Sequence, residues 1–180
     1  MQMKKKFNYG LSRTLNVKAI ELPYAGKKLS MIVLLPEHPN GIGALEQALS
    51  AEHLVNFEKS FEIMPQVEVN TCLPRFKLED SFDLGSTLSS MGMTDAFIDG
   101  VADFSGMNGE KDLSISKVVH KAFLEVNEEG SEAAAATGVV MKKKGMLRVF
   151  NFRADHPFLF FIRENETKTV LFLGKYSRPA

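Results

Sequence analysis

Two apolar runs, residues 17–24 and 29–35, stand on either side of Ala25-Gly26-Lys27-Lys28. Runs of that length around a polar, Gly-containing turn predict a β-hairpin. Pro23 and Pro36 punctuate it, and Pro39-Asn40-Gly41 makes the next loop. Residues 44–50 and 52–59 switch to helical spacing, with Leu45 and Leu49 on an inward face and Leu54 and Phe57 as further candidates for burial. The stretch 63–73 ends in alternation, Val67, Val69, Thr71 and Leu73 against Glu68, Asn70 and Cys72, which predicts a half-buried strand. Pro74 breaks it and residues 75–78 resume as a short strand. Asp80 or Ser81 is placed to cap a helix carrying Leu84, Leu88 and Met91 on one face, with Gly92 at its end.

Residues 93–112 are rich in turn signals: Asp99-Gly100, Ser105-Gly106 and Asn108-Gly109. Residues 113–127 read as one long strand and 147–152 as another. The runs 158–162 and 170–173 are unbroken apolar stretches joined by a polar turn, which predicts strands buried on both faces. The fold class is therefore α+β, mostly antiparallel sheet with a few short helices.

One stretch fits none of these patterns. Glu128-Glu129-Gly130-Ser131-Glu132-Ala133-Ala134-Ala135-Ala136-Thr137 favours helix by its alanines but has no Leu or Ile to seek a core. At strand period, Ser131, Ala133, Ala135, Thr137, Val139 and Met141 share a face of small or apolar residues, while Glu132, Ala134, Ala136 and Gly138 take the other. The stretch can lie as a solvated linker or slide as a strand into a narrow slot. Lys142-Lys143-Lys144 follows it.

With 44% hydrophobic and 24% charged residues the chain is of the soluble, globular class. Zero formal charge gives no reason to expect nucleic acid or an anionic membrane as partner. Cys72 is the single cysteine, so no internal disulfide is possible. No apolar run approaches a membrane span. Met1-Gln2-Met3-Lys4-Lys5-Lys6 lacks the apolar core of a signal peptide; its lysines are a solvated terminus or a small polyanion-binding patch. His38, His53, His120 and His156 have no metal-ligand spacing, and neither a nucleophile elbow nor a Gly-rich phosphate loop is present. No metal, cofactor or enzymatic activity is expected. His156, between Asp155 and Pro157 at a strand start, reads as a structural hydrogen-bonding residue. Asn165-Glu166-Thr167 is a glycosylation sequon, although an Asn in a turn needs no modification to explain it.

Three segments carry a family resemblance. The run 128–137 resembles the reactive-loop hinge of serpins. Val118-Val119-His120-Lys121-Ala122-Phe123-Leu124-Glu125-Val126-Asn127 is similar to the strand that feeds that hinge. Asn151-Phe152-Arg153-Ala154-Asp155-His156-Pro157-Phe158-Leu159-Phe160-Phe161-Ile162 resembles the family's C-terminal signature. The match is nearest the intracellular, ovalbumin-like branch. It covers nearly all of the chain, but only the C-terminal half of a serpin, so residues 1–180 are expected to be the C-terminal portion of one serpin domain, with the N-terminal half of the fold missing. The chain is then a truncated or partial one, and its lack of a signal peptide says nothing of the whole protein's secretion.

The resemblance implies a serine-protease inhibitor acting as a suicide substrate, not an enzyme. The reactive loop spans about 128–148. Counting from Gly130 and back from Pro157 puts the scissile bond between Lys144 and Gly145, with Lys143, Met146 and Arg148 as neighbouring candidates. A lysine there suits a trypsin-like protease with a carboxylate at the base of its pocket. After the cut, the hinge enters the large sheet as a new strand and carries the acyl-enzyme with it, a behaviour the general account of strand insertion already includes. Inward positions must be small, since extra bulk costs roughly 1–3 kcal/mol. Ser131, Ala133, Ala135 and Thr137 are. A carrier, chaperone or storage role is the non-inhibitory alternative. Extracellular space is the expected location, with cytoplasm, as in the ovalbumin-like branch, the alternative. With its sheet incomplete, the isolated half is not expected to trap a protease and offers an apolar edge for self-association.

Overall fold

The computed structural model describes residues 1–127 and 149–177. In chain order the strands are β1 (Gln2–Ser12), β2 (Val17–Pro23), β3 (Leu29–Pro36), β4 (Glu62–Cys72), β5 (Phe76–Asp83), β6 (Val119–Val126), β7 (Phe150–Arg153), β8 (Phe158–Glu164) and β9 (Val170–Tyr176). The helices are short: α1 (Ile42–Ala48), α2 (Ala51–Val55), α3 (Phe57–Ser60), α4 (Gly85–Ser90) and α5 (Ser105–Asn108). The chain divides into two compact units, Phe76–Val126 and the described residues on either side of it.

The first unit is a seven-stranded sheet in the order β7-β4-β1-β2-β3-β8-β9. Every pairing is antiparallel except β4 with β7. The β2–β3 hairpin forms as its pattern predicts, Ile20 opposite Val33. Strands β3 and β8 are buried on both faces, which accounts for their unbroken apolar sequences. On one face Val17, Ala19, Ile32, Leu34, Leu159 and Phe161 meet Leu45 of α1 and Phe57 of α3, with Phe61 beside them. Phe57 stands edge-on to Phe161, ring centres 6.0 Å apart. Helical periodicity at 44–59 thus reflects a real inward stripe, although Leu49 and Leu54 are only partly buried.

The same face holds a buried charge. Arg163 follows Phe161 at strand period and is 1% exposed. Its Nη2 donates to Glu58 Oε1 of α3 at 2.5 Å and lies 3.5 Å from Glu21. Lys168 Nζ reaches the same Glu58 oxygen at 3.0 Å. Partial burial works to raise the Glu58 pKa. The hydrogen bonds from Arg163, its own backbone and Lys168 prevail and hold it at about 2. Breaking such a buried pair costs far more than forming it gains, so Arg163 fixes how α3 seats on β8.

Four expectations change. Lysines 4–6 are not a loose terminus: they lie in β1, opposite Asn70, Val69 and Glu68 of β4, with their side chains still exposed. Lys4 pairs with Glu68 of β4 at 2.9 Å. The strand at 75–78 is longer and absorbs Asp80 and Ser81, which therefore cap no helix; α4 begins only after Leu84, and Asp83 Oδ1 accepts the Gly85 N–H instead. The expected strand 113–127 shrinks to β6: the Ile115 N–H bonds instead to Ala96 in the 3-10 turn Asp95–Phe97, and the Val118 carbonyl accepts from Leu84, just past the end of β5. Finally, β9 is not buried on both faces: Leu171, Phe172 and Leu173 are 50%, 41% and 56% exposed, as befits the last strand of the sheet.

Burial separates the two apolar runs energetically. Phe161→Ala should cost about 3–5 kcal/mol, whereas Leu171→Ala should stay within about 0.5 kcal/mol of the parent chain. Urea unfolding of both variants checks this; equal losses would refute the assigned burial.

Candidate functional site

The hinge residues Glu128, Glu129, Gly130, Ser131, Glu132, Ala133, Ala134, Ala135, Ala136 and Thr137, the bond between Lys144 and Gly145, and Lys143, Met146 and Arg148 all lie outside the described residues. What the structure describes are the strands from which that segment departs and to which it returns.

Departure is from β6, in the second unit. It runs antiparallel to β5 in unbroken register, from Phe76 opposite Val126 to Asp83 opposite Val119. Among the described residues these two strands pair only with each other. Ala122, Leu124 and Val126 are half-buried, while Val119 and Phe123 are 52% and 53% exposed. Lys77 places its ammonium over the Phe123 ring at 5.0 Å, which covers part of that apolar face. The ribbon thus has two sheet edges that pair with no other described strand, the feature expected to promote association.

Return is into β7, which is short but well anchored. Phe150 stands opposite Val69, and Phe152 opposite Thr71. Phe150 stacks on Tyr9 at 4.9 Å, and Phe152 is fully buried. Asn70 Nδ2 donates to Asn151 Oδ1 at 3.1 Å. One residue past the strand, the Ala154 N–H still reaches the Cys72 carbonyl at 2.8 Å.

The chain then turns a corner at Asp155, His156 and Pro157 before Phe158 enters the core as the first residue of β8. His156 holds the corner. Nε2 lies 2.7 Å from the Pro36 carbonyl at the end of β3, and Nδ1 lies 2.9 Å from Asp155 Oδ1. A carbonyl oxygen can only accept, so Nε2 donates to Pro36. Arg153 Nε braces the other Asp155 oxygen at 3.1 Å. The His156 bond above all, against a little desolvation, lowers the Asp155 pKa. The signature residues Phe152, Ala154, Asp155, His156, Pro157 and Phe158 therefore form an anchor held by buried aromatic rings and by the contacts linking Arg153, Asp155, His156 and Pro36.

No cluster of three His, Cys, Asp or Glu capable of holding a metal is found among the described residues. Sequence reasoning missed β1 in this anchor, since Tyr9 stacks on Phe150 and β1 carries β4. The signal was Phe7 and Tyr9 alternating beyond the lysines.

A family model described as serpin (serine protease inhibitor) matches residues 1–179. The chain belongs to the serpin family. It is 48% identical to leukocyte elastase inhibitor of Homo sapiens over 183 residues, covering 99% of this chain and 48% of that protein. It is 51% identical to serpin B6 of Pongo abelii over 158 residues, 88% of this chain and 42% of that protein. Among solved structures it is similar to uncleaved ovalbumin, with a TM-score of 0.79 and 36% identity, covering 99% of this chain and 47% of that one. Maspin matches at a TM-score of 0.80 and 32% identity, over 99% and 47% of the two chains. The chain thus spans about half the length of the curated relatives it matches. Its fold is a serpin part, mixed sheet with few short helices, and the family is one of protease inhibitors rather than enzymes. The relatives fall in the ovalbumin-like, intracellular branch. That branch gives no support to an extracellular location.

The corner of the serpin anchor yields a pH prediction. The ordinary value for Asp155 is 3.8 and the folded one lies below it. Its contribution is therefore complete above pH 3.8 and drains away as pH falls through the folded value. Asp155→Asn should lower thermal stability at neutral pH and flatten the loss on acidification; an unchanged acid limb would contradict this. His156→Ala, which strips the Pro36 carbonyl of its donor, should cost about 1–3 kcal/mol.

Proposed function

We propose that the protein to which this chain belongs inhibits a serine protease by offering residues 128–148 as bait and inserting the cut hinge into its large sheet. Residues 1–180 are the C-terminal portion of that single serpin domain. The observation that carries this reading is the composition of the hinge. Ser131, Ala133, Ala135 and Thr137 alternate as small side chains, and Glu132 takes the opposite face. An inserting strand must pass between packed neighbours, where an unpaired charge would cost several kcal/mol, on the order of 2–7 for a polar group alone. A carrier or storage protein has no need of that alternation.

Lys144 is the residue assigned to the specificity pocket and Gly145 the residue after the cut. A cation suits a trypsin-like pocket with a carboxylate at its base. The relatives named leukocyte elastase inhibitor favour a second reading of the target. An elastase-like pocket takes an uncharged side chain, and Met146, two residues along, offers one. Sequencing the fragment released on attack by each protease separates the two. The intracellular branch of the relatives favours the cytoplasm. Among the described residues β5 and β6 pair only with each other, and these 180 residues alone are not expected to trap a protease.

The test uses a chain of the relatives' full length that contains this segment. Ser131→Arg should convert inhibitor into substrate: the covalent complex with trypsin on a denaturing gel disappears and cleaved chain accumulates. Undiminished complex would refute the insertion mechanism, and cleavage without complex in the parent chain would favour the non-inhibitory alternative.

A further inference from the structure

The sequon Asn165-Glu166-Thr167 lies in the turn from β8 to β9, and the fold has already committed the amide that a glycan would need. Asn165 Nδ2 donates to the Lys27 carbonyl at 2.8 Å and to Ser30 Oγ at 2.9 Å. The Asn165 backbone N–H donates to the Lys28 carbonyl at 2.8 Å. The amide orientation is fixed, since turning it over would aim Oδ1 at the Lys27 carbonyl. Both protons of the side-chain nitrogen are therefore in use, each toward the β2–β3 turn. Ser30 is 1% exposed, and Asn165 Oδ1 is shielded from solvent. Thr167, the third residue of the sequon, is drawn in as well: its hydroxyl donates to Glu164 Oε2 at 2.6 Å and stands 2.8 Å from Thr169 Oγ1.

Glycan transfer makes demands that this arrangement refuses. The amide nitrogen attacks the anomeric carbon of a lipid-pyrophosphate-linked oligosaccharide. A nitrogen–carbon bond forms, the carbon–oxygen bond to the pyrophosphate breaks, and the nitrogen gives up one of its two protons. The product keeps one N–H for two acceptors. The sugar, bulky and hydrated, would leave the nitrogen along the direction now filled by Lys27 and buried Ser30.

We propose that Asn165 is a modification acceptor only while the two turns are unformed, and that a glycan on Asn165 and the native β3–β8 register exclude each other. Folding closes the sequon; a glycan attached first keeps the two turns apart. This holds whether or not the protein traps a protease, and it makes the sequon a liability in a glycosylating compartment and harmless outside one.

The experiment sends the chain, in its relatives' full-length context and behind a secretory signal, through a eukaryotic secretory pathway. Protease-resistant and protease-sensitive pools are separated, and Asn165 occupancy is read by endoglycosidase shift and peptide mapping. Phe161→Ala, which weakens the core, supplies a chain that opens more readily. The expected result is glycan at Asn165 on the open variant and in the sensitive pool, with its loss from the resistant pool. Thr167→Ala should raise the resistant yield along the secretory route and leave Asn165 free to clasp Lys27 and Ser30. A native, protease-resistant chain carrying glycan at Asn165 would overturn the proposal. So would an open variant that is never glycosylated.

Discussion

The pairing of β3 with β8 is the interaction on which the described fold depends. Ile32 lies opposite Phe161, and Leu34 opposite Leu159, deep enough that neither strand presents a polar face. Nothing but other apolar surface can satisfy these strands, which is why they sit inside a seven-stranded sheet and not at its margin. Each end of the pair is then clasped by one polar residue flanking β8. His156 enters from below and donates to Pro36, where β3 stops. Asn165 leaves from above and donates to Lys27 and Ser30, where β3 begins. Between them Arg163 ties the strand to α3 through Glu58. Hydrophobic burial supplies the driving force without direction, and these three polar residues supply the register.

That pairing also holds the strand downstream of residues 128–148: β7 and its corner are braced by Phe152 in the core and by His156 on Pro36 of β3. Under the proposed mechanism this is the fixed point for a loop cut and withdrawn on its other side. The upstream strand, β6, is of a different character: it belongs to a two-stranded ribbon with apolar residues facing outward. The contrast between a firmly seated return strand and an incompletely partnered departure strand agrees with a mechanism in which the hinge side gains a neighbour.

Much of this was legible beforehand for a physical reason. Burial writes itself into sequence where a strand or helix meets one consistent environment. The hairpin, β4 with Val69 and Thr71 inward, β8 and the Leu45–Phe57 helical stripe are of that kind. Legibility failed where long-range pairing decides. Lysines 4–6 look like a solvated tail until β4, some sixty residues on, supplies hydrogen-bond partners and Glu68. Residues 171–173 look like core because an edge strand can carry the same apolar residues as a central one. Asp80 resembles a helix cap because caps and strand ends share residue types, and only the pairing of Asp80 with Ala122 distinguishes them. Of the site, the anchor motif was readable as a structural corner. The proposed hinge and Lys144 were readable from the resemblance and from the small side chains at Ser131, Ala133, Ala135 and Thr137; they lie outside the described residues.

The central claim is that the alanine-rich segment is spare strand, held out of the sheet until it is severed. Its most direct test is calorimetry on a chain of the relatives' full length, before and after a single nick within residues 142–148. The account predicts a higher Tm for the nicked protein, because a new strand is added to the sheet at no loss of existing pairs. An unchanged or lower Tm after complete nicking would contradict it.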